Sequence, residues 1–278
     1  MSPRPVAPPP AFLLALALLT GVAMLAALAA LVGAQDFAAP APAWPPGPPC
    51  LLLERGLPSA TPTPVLEGAA TRWHGLAALT TRAAAGALGW RALRAGVGLS
   101  QTGEPDVGWS ALALAVGAAG RGGGGSLRAV ARRDRTSPFG FDARGADVGV
   151  EIGGGAWIEA AGALHVWASA PQMWTRGAAP PLTRPLEVGG ALDLGGVALW
   201  LSRAAVAGYP RGGRGEHAAG LATSAGPLGV WLVARDQPLR GGLGVAAQAR
   251  VLRVAAEVES HPVLGETARM SLGLGGGR

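Results

Sequence analysis

The sequence predicts an all-β fold built from consecutive antiparallel strands. Leu252 to Ser260 alternates apolar side chains with charged ones such as Arg253 and Glu257, which gives the segment one apolar and one polar face. The same alternation is present just before it, over 244–251, and just after it, over 270–275. Three such segments separated by short breaks indicate a β-meander.

The N-terminal residues 1–34 are predicted to be a signal peptide or an N-terminal hydrophobic helix. Ala11 to Gly33 is apolar and uncharged, follows Arg4, and ends in small residues where cleavage before Gln35 is expected. The alternative is an uncleaved anchor in residues 11–33, which is long enough to cross a bilayer and would hold the domain at the periplasmic face. Both interpretations predict that the chain is exported.

Residues 35–67 are rich in proline, which removes backbone donors and favours an extended chain. We therefore expect a disordered linker that contributes nothing to the fold. Cys50 within it is the only cysteine, so an internal disulfide is excluded. Because the apolar run ends well before Cys50, lipidation is disfavoured and an unreactive thiol is expected.

Residues 68–278 are predicted to form one β-domain, with no long amphipathic helical pattern. Ala and Gly are weak strand formers, and their abundance, like the use of Arg in place of Lys, indicates a high-GC genome. About thirteen candidate strands are expected: 70–82, 87–101, 107–119, 125–135, 144–159, 163–174, 185–194, 196–206, 215–224, 228–236, 240–248, 251–259 and 266–275.

The size of the apolar residues favours a membrane barrel over a soluble sandwich. Ala, Val and Leu with few aromatics fill a sandwich core poorly, whereas lipid accepts any apolar side chain. We therefore predict an antiparallel meander closed as a transmembrane β-barrel of about 12 strands, with 10–14 allowed. The candidate lumen-facing charged residues are Arg94, Arg128, Arg132, Asp147, Glu151, Arg253, Glu257 and Glu259. Most of the tryptophans fall near predicted strand ends or turns, where an interfacial girdle is expected, and ordinary core tryptophans are the alternative. They are Trp73, Trp90, Trp109, Trp157, Trp167, Trp174, Trp200 and Trp231.

This combination of export signal and serial amphipathic hairpins resembles the outer-membrane β-barrels of diderm (Gram-negative) bacteria, loosely those of the FadL and PorV type. The segment Ser260 to Gly265 looks like a closing turn of such barrels. One departure is the C-terminus, which ends in glycines and Arg278, whereas these barrels usually end on an aromatic residue. The resemblance implies a location in the outer membrane, with its lipid bilayer as partner.

Several chemistries find little support in the sequence. The chain has no lysine, so the glycine-rich stretch 120–126 is not a P-loop, and the dispersed arginines do not favour a nucleic-acid partner. The four histidines lack metal-ligand spacing, and no cofactor is expected. Ser224, with His217 on the same predicted strand, leaves an outer-membrane acyl hydrolase as a distant alternative, and we expect no enzyme.

Three classes of function remain open. The first is a barrel with a narrow passage for small or apolar molecules, and the second is an accessory or structural barrel that docks an envelope or secretion partner protein. The third, a distant one, is the enzyme considered above. The alternative to a barrel is a secreted or membrane-anchored soluble β-sandwich that acts as a binding domain.

Overall fold

The computed structural model describes residues 49–59, 64–104, 107–136, 148–177, 186–205, 215–237 and 239–275. They form one closed antiparallel barrel of 14 strands, in which each strand pairs with its neighbours in sequence and the last pairs with the first. One short helix, α1 (Pro49–Arg55), precedes the barrel. The strands are β1 (Val65–Arg72), β2 (Thr80–Trp90), β3 (Leu93–Gly103), β4 (Val107–Gly120), β5 (Gly123–Thr136), β6 (Val148–Ala161), β7 (Leu164–Gly177), β8 (Leu186–Asp193), β9 (Val197–Ala205), β10 (Glu216–Ala225), β11 (Leu228–Asp236), β12 (Leu239–Ala249), β13 (Leu252–His261) and β14 (Gly265–Gly275).

The barrel closes where β1 pairs with β14, in a register that places Val65 opposite Gly275 and Arg72 opposite Ala268. Along the strands, buried and exposed residues alternate, as in β13, where Val254 is exposed and Ala255 is buried. The alternation predicted from the sequence is therefore the alternation between lumen and outer surface. The closed pairing also excludes the two separate sheets of a β-sandwich.

The two ends of the barrel differ in their connections. At one end, here the turn end, neighbouring strands are joined by tight turns at 91–92, 121–122, 162–163, 226–227 and 250–251. At the other, here the loop end, the connections include 73–79, 137–147, 178–185 and 206–215, of which only 73–79 and residue 215 are described. The connection 73–79 contains two 3-10 helices, Trp73–Gly75 and Ala77–Leu79.

The strand count is 14, at the upper limit of the predicted range, and the central estimate of about 12 is wrong. Of the thirteen candidate segments, the first two, 70–82 and 87–101, cover three strands, which accounts for the fourteenth strand. The turn between β2 and β3 has no Gly, Pro or Asn to mark it, because Arg91 itself adopts the left-handed conformation with φ 54°.

The expectation of a disordered linker over 35–67 is wrong for the residues that are described. Pro49–Arg55 is helical, with Cys50, Leu52, Leu53 and Arg55 buried, and β1 begins at Val65 rather than after residue 67. Proline permits this helix because Pro49 stands at its first position, where no backbone N–H is needed. Residues 35–48 and 60–63 lie outside the described residues.

The predicted signal or anchor in residues 1–34 also lies outside the described residues. Within the described part of the chain, no helix has the length and apolar character needed to cross a bilayer.

Candidate functional site

The lumen holds the segment 49–59, here called the plug, which consists of α1 and the four residues after it. Cys50 and Leu53 have no exposed surface and Leu57 is 2% exposed, although they belong to a segment outside the sheet. The helix contacts β1, β2, β3, β4 and β7, which lie on different sides of the barrel. A short segment that meets so many strands of a closed barrel must lie inside it.

The end of α1 and the residues after it have backbone carbonyl groups that no helical hydrogen bond satisfies. Side chains of the barrel wall donate to them instead, so these carbonyls stay paired although they are buried. The donors come from β3, β5, β6 and β7: Arg128 Nη1 to Glu54 O (3.2 Å), Ser169 Oγ to Arg55 O (2.6 Å), Ser126 Oγ to Gly56 O (2.9 Å), Trp157 Nε1 to Pro58 O (2.9 Å) and Arg94 Nε to Ser59 O (2.8 Å).

A buried ion pair ties the end of α1 to the opposite wall. Arg55 Nη1 lies 3.1 Å from Glu187 Oε2 on β8, and both side chains are only 6% exposed. Removing one partner of such a pair leaves a buried charge and costs about 3–5 kcal/mol. The pair therefore fixes the position of the plug across the lumen.

The plug touches the wall most closely at a pair of glycines. Gly56 has φ +68°, and a Cβ there would stand 2.5 Å from the backbone nitrogen of Gly155 on β6. A Cβ on Gly155 would collide with the carbonyl oxygen of Arg55. Both positions therefore require glycine, because any side chain would push the two backbones apart.

The helix packs against a wall of small residues. Cys50, Leu52 and Leu53 form a buried cluster with alanines of β2 and β4 and with Val130 of β5. Alanine at these inward positions leaves the space that the leucines fill. The wall residues of this cluster are Ala83, Ala85, Ala87, Ala111, Ala113, Ala115 and Val130.

Cys50 lies in this cluster beside a carboxylate. Its backbone nitrogen donates to Glu67 Oε2 at 3.3 Å. Burial, and then the negative charge of Glu67, raise the pKa of the Cys50 thiol well above its ordinary value. The thiol is therefore protonated and inaccessible, in agreement with the expectation that it is unreactive.

Tryptophans fill the part of the lumen that α1 leaves. Trp157, Trp167, Trp200 and Trp231 are between 2% and 7% exposed. Three of them lie over a glycine directly opposite on the next strand, where a Cβ would collide with the indole. These pairs are Trp167 with Gly189, Trp200 with Gly220, and Trp231 with Gly244.

The predicted tryptophan girdle is therefore wrong for these four residues. Each has the inward parity of its strand, and the sheet surface there is made of glycine and alanine, so the indoles face the lumen. Among the others, Trp90 and Trp174 are about half exposed, at 50% and 48%, and each lies at or near a strand end.

Two groups of buried ion pairs link neighbouring strands inside the barrel. Arg269 Nη2 lies 2.8 Å from Glu67 Oε1, and Arg269 Nη1 lies 3.3 Å from Glu257 Oε1. On the other side, Arg132 Nε lies 2.6 Å from Glu151 Oε1, and the amide of Gln172 donates to the same oxygen. Each buried charge has an opposite charge beside it, which offsets the cost of its desolvation.

Four charged residues meet at the loop end of the lumen. Arg235 lies between Glu216 (3.1 Å) and Glu259 (3.2 Å). Arg240 is paired with the same two carboxylates, at 3.0 Å from Glu259. Because the four side chains come from adjacent strands β10 to β13, they join one sector of the rim in a network.

Nearby, in the 73–79 connection, the pKa of His74 is lowered, first by burial and then by the charge of His261.

The structure places most of the predicted lumen-facing charges at buried positions. Arg94, Arg128, Arg132, Glu151, Glu257 and Glu259 are all 9% exposed or less. Arg253 is half-buried on the same face of β13 as Glu257, and Asp147 lies outside the described residues. Arg132 and Glu151 meet, whereas Arg94 and Arg128 donate to backbone carbonyls of the plug.

Sequence reasoning missed the residues that complete these groups. The alternation of β11 and β14 carries a signal for two of them, because Arg235 shares the parity of Trp231 and Arg269 the parity of Ser271. Arg55 and Glu67 carried no such signal, since both fall inside the proline-rich stretch. The missed charged residues are Arg55, Glu67, Glu187, Glu216, Arg235, Arg240 and Arg269.

The structure does not bring together His217 and Ser224, the pair considered for a Ser-His hydrolase. His217 and Ser224 lie at opposite ends of β10, so about 20 Å of strand separates them. His217 is exposed and its Nδ1 lies 2.7 Å from Asp236 Oδ2. The described residues also contain no cluster of His, Cys, Asp and Glu suited to a metal ion.

Comparisons with known proteins give matches among solved structures alone. No family model and no curated protein matches the chain. A triple mutant of Rhodopseudomonas blastica porin is 12% identical, with a TM-score of 0.40 over 78% of this chain and 99% of the porin. A second mutant of that porin is 10% identical with the same coverage and TM-score. At this TM-score the likeness carries no inference about role, and the narrower resemblance to FadL and PorV barrels stays a prediction.

Proposed function

We propose that the chain is an integral outer-membrane β-barrel whose lumen is closed by its own plug, so that small or apolar molecules pass only when the plug moves. The observation that carries the proposal is the distribution of residues between the two faces of the wall. Large apolar side chains cover the outside, while arginines and carboxylates are buried inside. A soluble barrel would have the opposite arrangement.

The outer apolar surface surrounds most of the barrel. Soluble proteins rarely expose a contiguous apolar surface of this size, whereas contact with lipid stabilises it. The closed sheet supports the same conclusion, because it leaves no unpaired strand edge in the hydrocarbon region. Exposed examples, one from each strand of β4 to β9 and of β11 to β14, are Leu114, Leu127, Ile158, Val166, Val188, Leu201, Leu232, Leu243, Val254 and Leu272.

The connections support an orientation. Outer-membrane barrels have short turns on the periplasmic side and longer loops outside. The turn end of this barrel therefore lies in the periplasm, and the loop end faces the exterior. Both β1 and β14 meet the turn end, with the start of β1 opposite the end of β14.

Low general conductance follows from the filled lumen. A barrel of 14 strands approaches the 16–18 strands that leave an open channel in porins. Here the plug and four tryptophans occupy that space. Passage would require movement of the plug, and a barrel whose plug never moves would serve the second class, an accessory or structural role in the envelope.

Membrane fractionation and gel migration test the membrane location. We expect the full chain to remain with the outer-membrane fraction after a urea wash and to migrate faster before boiling than after it, because folded barrels resist detergent. Recovery in the soluble fraction, with the same migration before and after boiling, would refute the proposal.

A further inference from the structure

A groove runs along the outer wall of the barrel from β2 to β6, near the loop end. Its upper edge is a row of polar side chains in direct register across four strands, and its lower edge is a parallel row of apolar ones. The polar row is Arg82, Gln101, Ser110 and Arg133, and the apolar row is Ala84, Leu99, Leu112 and Ala131.

The polar row is not used within the described part of the chain. The Ser110 hydroxyl is buried and has no hydrogen-bond partner there. Arg82 and Arg133 are exposed, and neither makes an ion pair with a described residue. Among the described residues no carboxylate pairs with either arginine, and cations at the edge of an apolar belt attract anions where the hydrocarbon region ends.

We propose that this groove binds a phosphorylated glycolipid of the membrane leaflet at the loop end. Arg82 and Arg133 stand three strand spacings apart, about 14 Å, which is too far for one phosphate but suits a headgroup with a phosphate at each end. Between them, the Gln101 side chain offers hydrogen bonds to a sugar hydroxyl.

The apolar row forms a surface that suits the acyl chains of such a lipid. Leu99 and Leu112 lie on the membrane side of the polar row, and Leu112 is 42% exposed. Ala84 and Ala131 flank the two leucines and leave the wall recessed there. An acyl chain that descends from the headgroup therefore meets a shallow apolar channel directly below the arginines.

The inference rests on the proposed membrane location, and one experiment separates the two. The full chain is purified in mild detergent and titrated with bisphosphorylated lipid A and, in a parallel arm, with phosphatidylglycerol. Native mass spectrometry measures the bound lipid. The variants are the double change Arg82→Gln with Arg133→Gln, and the control Arg203→Gln, an exposed arginine near the loop end of β9.

We expect lipid A to bind the wild type and the control equally, and the double variant about tenfold more weakly. Equal binding by all three proteins, or tighter binding of phosphatidylglycerol, would overturn the glycolipid site. If the glycolipid site fails in this way but the proteins are folded and found in the membrane fraction, the proposed function still holds. A wild type that is absent from the membrane fraction would instead refute the proposed function.

Discussion

Glu187 Oε2 on β8 lies 3.1 Å from Nη1 of Arg55, the last residue of α1. The pair joins the plug to β8, a wall strand far from α1 in the sequence, and both charges are buried. Because the protein has a single cysteine, Cys50 inside the plug reports on this contact directly.

Glu187→Gln is expected to loosen the plug. The change leaves Arg55 buried beside a neutral amide, which costs about 3 kcal/mol. Cys50 should then react with a maleimide about 100-fold faster than in the wild type, where it has no exposed surface. Glu159→Gln, at an exposed carboxylate near the β6 turn, is the matched control. An unchanged rate in Glu187→Gln would show that the ion pair does not hold the plug.

The plug should also weaken at alkaline pH. The Cys50 thiol has a raised pKa in the folded protein, so the folded state keeps its proton when the unfolded state loses it. Stability from this group is complete below the unfolded thiol pKa of about 8.5 and falls as the pH rises above it. Urea unfolding measured between pH 7 and pH 10 should show this fall in the free energy of unfolding. In Cys50→Ala, the part of the fall that comes from the thiol should be absent. Identical pH profiles for the two proteins would contradict the assignment.

Gly220→Ala should destabilise the barrel, because the new Cβ collides with the indole of Trp200 inside the lumen. Overpacking of this kind costs about 1–3 kcal/mol. Gly229→Ala is the control, since its Cβ would come no closer than 3.7 Å, to the carbonyl oxygen of Thr223. The midpoints of heat-modifiable gel migration compare the two. Equal midpoints would mean that the tryptophan does not lie over the glycine.

Val254→Arg tests which face of β13 meets lipid. Val254 is 43% exposed on the outer surface and lies two residues from the turn-end start of β13. An arginine there should cost an amount between the roughly 0–1 kcal/mol of an interface position and the roughly 2–4 kcal/mol of the midplane. Ser260→Arg, on the same face but near the loop end, should cost about 0–1 kcal/mol. Folding in lipid vesicles, followed by urea titration, gives both values. An unchanged free energy of unfolding in Val254→Arg would mean that this face of β13 does not contact lipid.

The alternation along the chain predicted the β-meander and the placement of charges such as Glu151 on the buried face. It did not predict the turn at Arg91, because a non-glycine residue with positive φ leaves no mark in the sequence. It also gave no sign of the plug, since the proline-rich composition around α1 is typical of a linker. That helix is too short to be stable alone and is stabilised by its contacts with the wall, including donors such as Arg128 and Ser169.

The central claim is that the plug closes the barrel, and single-channel recording in planar bilayers tests it most directly. The wild type should show little or no steady conductance. Arg55→Ala combined with Arg128→Ala removes two of the plug's contacts with the wall and should produce open events, whereas Arg203→Ala should not. Steady, porin-sized conductance in the wild type would contradict the account.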